Sequence, residues 1–404
     1  VSTAAETRAV APRAAAAPGT GREVFWVFLR LGLTAFGGPV AHLGYFRSVV
    51  VQRHGWLAEP DFAALVALCQ FLPGPASSQV GFAIGLKRAG WRGGLAAWTG
   101  FTAPSALALL VLAQLAGSVG AVGFSVLHGL KLAAVAIVAQ AVWSMARALC
   151  PDRERASIAV LALGLVLLWP SSIAQLAAIL CGAVAGAVVC RSAAGVPPLA
   201  PAEAPVSRRA GAVCLGLFGL GLALSFVPAA GFFGLFGAFY RAGALVFGGG
   251  HVVLPLLQDA VVRPGWVSDA AFLAGYGAAQ AVPGPLFTVA AWLGTAAAGF
   301  SGGVVALVGI FLPGLLVVAG ALPFWQTLQA RPTARAAMAG VNAAVVGLLG
   351  AAFYAPVWTG TVRQPADVFA ALAGFVLLVA WRAPPWLVVG LAAGAGLAEG
   401  RGIG

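Results

Sequence analysis

The 404-residue chain is 61% apolar and only 8% charged, whereas a soluble domain carries about 25% charged residues to cover its surface. Lipid must therefore replace water around much of it, which excludes a soluble globular fold. The formal net charge of +12 does not mark a nucleic-acid partner. The basic residues punctuate the ends of apolar stretches, as in the cytoplasmic loops of membrane proteins, instead of crowding one polar domain.

Along the chain, residues 1–21 lack a hydrophobic signal region and read as a disordered cytoplasmic tail. Apolar stretches then fill 93–116, 120–149, 157–190, 211–240, 303–326, 336–356 and 366–398. A helix crosses a bilayer with about 20 such residues, so the fold class is an all-α polytopic membrane protein. Cys69, Cys150, Cys181, Cys190 and Cys214 show no CxxC spacing and read as small buried hydrophobes. No metal centre or cofactor is expected.

The chain is written twice. The first copy reads FLRLGLTAFGGPVAHLGYF, GWLAEPDF, QFLPGP, GLKRAGWRGG, a helix with Pro104, and GLKLAAVAIV. The second reads FYRAGALVFGGGHVVLPLL, GWVSDAAF, QAVPGP, GTAAAGFSGG, a helix with Pro313, and GVNAAVVGLL. Arg30 pairs with Arg241, Gln70 with Gln280, Pro73-Gly74-Pro75 with Pro283-Gly284-Pro285, and Lys131 with Asn342. We divide the chain into a tail (1–21), a first transmembrane repeat (22–191), a linker with a connecting helix (192–230) and a second repeat (231–404).

Charge gives the relative orientation. The loop after the first PGP holds Lys87, Arg88 and Arg92, where the second copy has Ala296, Ala297 and Ser301. One helix later the signs swap, with neutral AGSVG at 116–120 against Arg331 and Arg335. Positive loops stay inside, so the repeats are inserted upside-down relative to one another. The unpaired segment 211–229 supplies the odd helix that inversion requires, and Arg208 and Arg209 before it fall on the cytoplasmic side. Inverted repeats with broken helices are a recurrent architecture of secondary transporters, with the substrate near the bilayer midplane.

Each repeat has two breaks. One is Gly37-Gly38-Pro39, matched by Gly248-Gly249-Gly250; the other is the PGP triplet. Backbone groups released in lipid cost several kcal/mol each unless satisfied. Proline tolerates the first turn of a helix, so Pro39 and Pro75 read as starts of half-helices whose free N–H groups point inward. Such ends carry about half a positive charge and cradle oxyanions. The alternative for a single PGP is a packing kink, and recurrence of both breaks in both halves favours the functional reading.

Arg30 and Arg241 stand six residues before their FGG and are candidate anion ligands or pathway residues; snorkelling to an interface is the other reading. Lys131 could pair with the anion or with a carboxylate, and Asn342 keeps the position polar. Gln70, Gln280, Ser77, Ser78 and Thr288 offer neutral donors beside PGP. His42 and His251, at shifted positions, are candidate proton carriers or packing residues. Glu59 and Asp61 are either proton-coupling groups or solvated loop charge.

FGGP, the following GW, PGP and the duplicated layout resemble the chromate ion transporter family in its long two-domain form, over roughly residues 24–398. The resemblance implies export of chromate from the cytoplasm, with sulfate as structural analogue. It also implies two oppositely oriented domains and family motifs at the glycines and prolines of the breaks. Gly250 departs from the pattern where the first copy has Pro39. The expected function is secondary transport of a tetrahedral oxyanion across the inner membrane, driven by membrane potential, a proton gradient or both, with the N-terminus cytoplasmic. The bilayer and a chromate- or sulfate-like anion are the expected partners, and a homodimer is compatible. A sulfate or other oxyanion permease or channel is the alternative. An intramembrane enzyme is disfavoured by the lack of HExxH and of cofactor motifs.

Overall fold

A computed structural model describes residues 19–35, 38–116, 121–169, 172–190, 205–246, 253–325 and 331–401, and all regular structure among them is helical. Proline and glycine cut the start of each repeat into half-length helices. The first, α1 (Gly21–Thr34), is capped by the Thr20 hydroxyl and stops at Ala35. Helix α2 (Gly38–Phe46) opens with Pro39 in its first turn and runs into a π-helical stretch, Arg47–Arg53. Helix α3 (Glu59–Phe71) stops at Leu72, and α4 (Ala76–Ala116) begins directly after Pro75.

Helix α4 is not one rod. Ala89 and Gly90 leave helical dihedrals, Gly90 at φ +61, and a Cβ on Gly85 would overlap the Gly93 carbonyl. In a straight helix those residues stand about 12 Å apart, so the chain reverses here into a short first limb and a long second one. Helix α12 (Val289–Ala321) reverses in the same way at Ala298 and Gly299, with Gly294 against Gly302. Among the described residues three helical stretches suffice, by length and composition, to cross a membrane: Ala76–Leu115, Leu286–Phe324 and Pro332–Ala355. The first two are each a half-length limb plus a crossing one.

At the α4 reversal Arg88 pairs with Glu23 at 3.2 Å and lies over the Trp56 ring, while Lys87 approaches Asp61 at 3.9 Å. The starts of α1 and α3 therefore share one face with this reversal. Helix α1 descends from that face to its break and α2 returns. Helix α3 then descends to PGP, and the first limb of α4 returns. The breaks are the tips of two re-entrant hairpins. The second repeat uses α9 (Gly231–Ala244), α10 (Val253–Leu257) with its π-helical continuation Gln258–Val262, α11 (Asp269–Ala281), a 3-10 turn at Leu286–Thr288, and α12.

The second limbs of α4 and α12 are repeat-equivalent and cross antiparallel. The Trp98 ring meets Phe311 edge-on at 5.8 Å, and Leu110 lies at Gly303. Equivalent helices run antiparallel only when the relating axis lies in the membrane plane, so the repeats are inverted. Helix α8 (Arg208–Leu224) is the extra element, and its Gly211 packs on Pro323 at the end of α12.

The remaining helices are α5 (Ala121–Leu149), α6 (Arg153–Leu168) and α7 (Ser172–Val189) in the first repeat, and α13 (Pro332–Ala352), α14 (Pro365–Val379) and α15 (Pro385–Arg401) in the second. The apolar stretches 157–190, 211–240 and 366–398 each prove to be two helices. They divide around Trp169, at the Ser225–Ala230 turn containing Pro228, and before Pro385. These helices are exchanged between halves. Gly129 of α5 lies against Ala392 of α15, and Ala136 against Gly374 of α14. Reciprocally, Gly347 of α13 packs on Ala159 of α6, and Gly340 on Gly182 of α7.

Candidate functional site

The two PGP turns each reach the other repeat. The Gly74 N–H donates to the Val246 carbonyl at 2.7 Å, and the Gly284 N–H donates to the Ala35 carbonyl at 3.0 Å. Each PGP turn is thus latched to the backbone just ahead of the other repeat's FGG. Both glycines are required: Gly74 has φ +125 and Gly284 φ +112, the left-handed side that L side chains rarely adopt. A Cβ on Gly74 would also lie 2.8 Å from the Gly314 Cα, and one on Gly284 2.7 Å from Ser105 Oγ. Ser105 and Gly314 directly follow Pro104 and Pro313 on the crossing limbs, so each PGP turn seats at the proline of the opposite half. Gly38 begins α2, whereas Gly37, Gly248, Gly249, Gly250 and His251 lie outside the described residues.

The Gly74 and Gly284 amides are occupied by carbonyls of the opposite half, because an amide left bare at bilayer depth costs several kcal/mol. First-turn amides without an intrahelical acceptor remain, those of Ala76, Ser77 and Ser78 and of Leu286 and Phe287. Gln79 N–H closes the first turn of α4 on Pro75, and Thr288 N–H closes its counterpart on Pro285.

Side chains around the tips are buried. His42 Nε2 lies 3.2 Å from the Ala35 carbonyl oxygen and Nδ1 3.4 Å from Ser77 Oγ. The pair of contacts fits the tautomer whose Nε2–H donates to Ala35 while Nδ1 accepts from Ser77. The Gln79 side chain is fully enclosed, and its Nε2 donates to Pro73 at 2.8 Å in its own half and to Gly314 at 3.0 Å in the other. Gln79 Oε1, Ser78 Oγ and Thr102 Oγ1 are buried with no hydrogen-bond partner among the described residues. Such groups cost about 1–3 kcal/mol each. By contrast the Thr288 hydroxyl donates to Pro285 and that of Ser105 to Thr102, their own backbone. Gln280 bonds the Tyr276 hydroxyl while its Nε2 stays buried and unpartnered.

Other expected site residues stand elsewhere. Gln70 is exposed on α3, and Arg30 is exposed on α1. Arg241 donates to the Ser225 carbonyl at 2.9 Å and stacks over Phe226, capping the end of α8. There it lines a pocket of about 970 Å³ with Asp259 and Trp266. Lys131 is half-buried on α5, and Asn342 on α13 keeps a buried, unpartnered Oδ1. Glu59 pairs with Arg47 and Asp61 with Lys87, both on the face of the α4 reversal. Gln79, Thr102 and Ser105 were not legible as site residues from motifs. Their one signal is that they are polar in a copy whose counterpart is largely apolar. Among the described residues no cluster of three or more His, Cys, Asp or Glu is placed to hold a metal.

A family model described as Chromate transporter matches residues 22–187 and again 233–397. The chain is 31% identical over 400 residues to the Chromate transport protein of Pseudomonas aeruginosa, covering 94% of this chain and 91% of that one. It is 28% identical to the Chromate transport protein of Cupriavidus metallidurans over 92% of this chain and 91% of the relative. Identity to the Probable chromate transport protein of Synechococcus elongatus is 27%, over 82% and 83%. No solved structure matches the chain.

Proposed function

The chain belongs to the chromate transporter family, and from that premise we propose that it carries chromate, a tetrahedral dianion, across the membrane between the two latched PGP turns. The observation that carries this reading is the reciprocal latch of Gly74 on Val246 and Gly284 on Ala35. It joins hairpins entering from opposite faces, so rocking one half against the other exposes the same point to either side. The first-turn amides of α4 and of the Leu286–Thr288 turn, with partial positive charge behind them, are the backbone donors for the ion. The full set of break residues, with Gln70, Gln280, Ser77, Ser78, Thr288, Arg30, Arg241, Lys131 and Asn342, is the candidate binding and approach set. His42, which bridges Ala35 and Ser77, is the leading candidate for moving a proton. Relatives named as transporters support transport over an enzymatic role.

The face bearing Lys87, Arg88 and Arg92 is cytoplasmic on this reading. Arg208 and Arg209 at the start of α8 and Arg331 and Arg335 at the start of α13 fall with it, as positive loops do. The start of α1 then lies on the cytoplasmic side of the inner membrane. Export of a dianion from a cell negative inside gains about 2.3 kcal/mol per charge per 100 mV. Two charges give about 4.6 kcal/mol, over a thousandfold gradient at about 1.4 kcal/mol per decade. The test is chromate uptake into inside-out vesicles, with chromium's oxidation state followed. Uptake that is saturable, competed by sulfate, and slowed when the potential is collapsed supports electrogenic export. Uptake indifferent to potential and following only the pH gradient replaces it with electroneutral exchange. Reduction of chromium by the protein would replace transport with enzymology.

A further inference from the structure

Backbone geometry is shared by the two tips, but side-chain chemistry is not. The first turn of α4 is α-helical, closing Gln79 N–H on Pro75, whereas the second repeat uses a 3-10 turn that closes Thr288 N–H on Pro285. The tighter turn removes one residue: Pro75 pairs with Pro285, 210 positions on, while Gly85 pairs with Gly294, 209 on. Gln79 therefore corresponds to Thr288, Ser78 to Phe287 and Ser77 to Leu286. On the crossing limbs Thr102 corresponds to Phe311, and on the returning helices His42 corresponds to Val253. Phe287 and Phe311 pack together at 6.1 Å, and Phe311 also meets Trp98. The second half thus presents an aromatic wall where the first presents hydroxyls.

The α4 hairpin brings Gly85 against Gly93 and Ala97, and Leu86 against Gly94, a register that carries Ser78 to the level of Thr102. Both hydroxyls are at least 98% buried and unpartnered. We propose that the oxyanion's side-chain donors come from the first half alone, the Ser78 and Thr102 hydroxyls. Gln79 is a positioning residue that holds the first PGP turn against Gly314 of the second half. This deepens the transport reading and rests on it. An oxyanion offers only acceptors, which matches two orphan O–H donors beside helix N-terminal amides. Neutral donors also let a dianion leave, which a buried arginine would resist.

The test uses the full chain reconstituted in liposomes, with chromate as the probe, and the purified protein in detergent for chromate-induced thermal stabilisation. Ser78→Ala and Thr102→Ala should each raise KM for chromate about tenfold or more, with Ser78→Thr and Thr102→Ser restoring it. Thr295→Ala, whose hydroxyl bonds its own Ala291 carbonyl, should leave KM unchanged. Gln79→Met should lower kcat more than it raises KM, because the turn is displaced while the donors remain. The proposal is overturned if the double alanine variant, folded by its unliganded melting temperature, keeps wild-type KM and the wild-type stabilisation by chromate. If the wild type does not transport, the functional reading fails separately. The donor assignment is then judged by stabilisation alone, and absence of any chromate- or sulfate-dependent shift in the wild type overturns it too.

Discussion

At Gly74 and Gly284 three demands coincide: a positive φ, close approach to Gly314 or Ser105, and an amide hydrogen bond to the opposite half. Alanine at either position imposes backbone strain of about 1–3 kcal/mol and overpacking of similar size. Gly74→Ala and Gly284→Ala should each lower the melting temperature measured in detergent, and each should do so even without substrate. A variant that melts like wild type would mean the latch is not formed. These glycines could be picked from the recurring PGP motif, because few residue types survive such a turn. What each amide bonds to was not legible, since both acceptors are main-chain carbonyls and any sequence supplies those.

Helix packing in these halves depends on glycine contacts as close as backbone permits. Gly32 of α1 faces the Phe101 carbonyl of α4, and its counterpart Gly243 of α9 faces the Ile310 carbonyl of α12. With lipid on the outside, close van der Waals contact is the main attraction between such helices. Gly32→Leu or Gly243→Leu should therefore reduce folded protein recovered by size-exclusion chromatography to a small fraction of wild type. The antiparallel crossing of α4 and α12 is open to direct test. In a cysteine-free background Leu110→Cys with Gly303→Cys should crosslink under mild oxidation, and Leu110→Cys with Phe311→Cys should not. The reverse outcome would make the repeats parallel. Apolar content alone could not reveal the hairpins in α4 and α12. Gly90 and Gly299 turn the chain inside runs that remain hydrophobic on both sides.

Because α5 lies in the second half's bundle and α13 in the first's, neither half completes its own packing. Residues 1–206 and 207–404, expressed separately, should each be degraded, whereas co-expression should restore a stable complex in the membrane. Stable accumulation of either half alone would refute the interlock. Orientation is checked on whole cells: a cysteine replacing Arg92 should react with a membrane-impermeant maleimide only after permeabilisation. One replacing Arg363, in the turn before α14, should react without it.

The sequence by itself determined that the chain lives in lipid, that it is a duplicated helical protein, that the copies are inverted, and where each is broken. Those properties are set by hydropathy, by charge at helix ends, and by proline and glycine, all local chemistry. Only the tertiary structure decided that the breaks latch to one another, that the last helices are exchanged, and that one tip is polar while the other is aromatic. These depend on which faces meet across more than two hundred residues. A buried serine and a buried phenylalanine at equivalent positions look alike until the space between them is known.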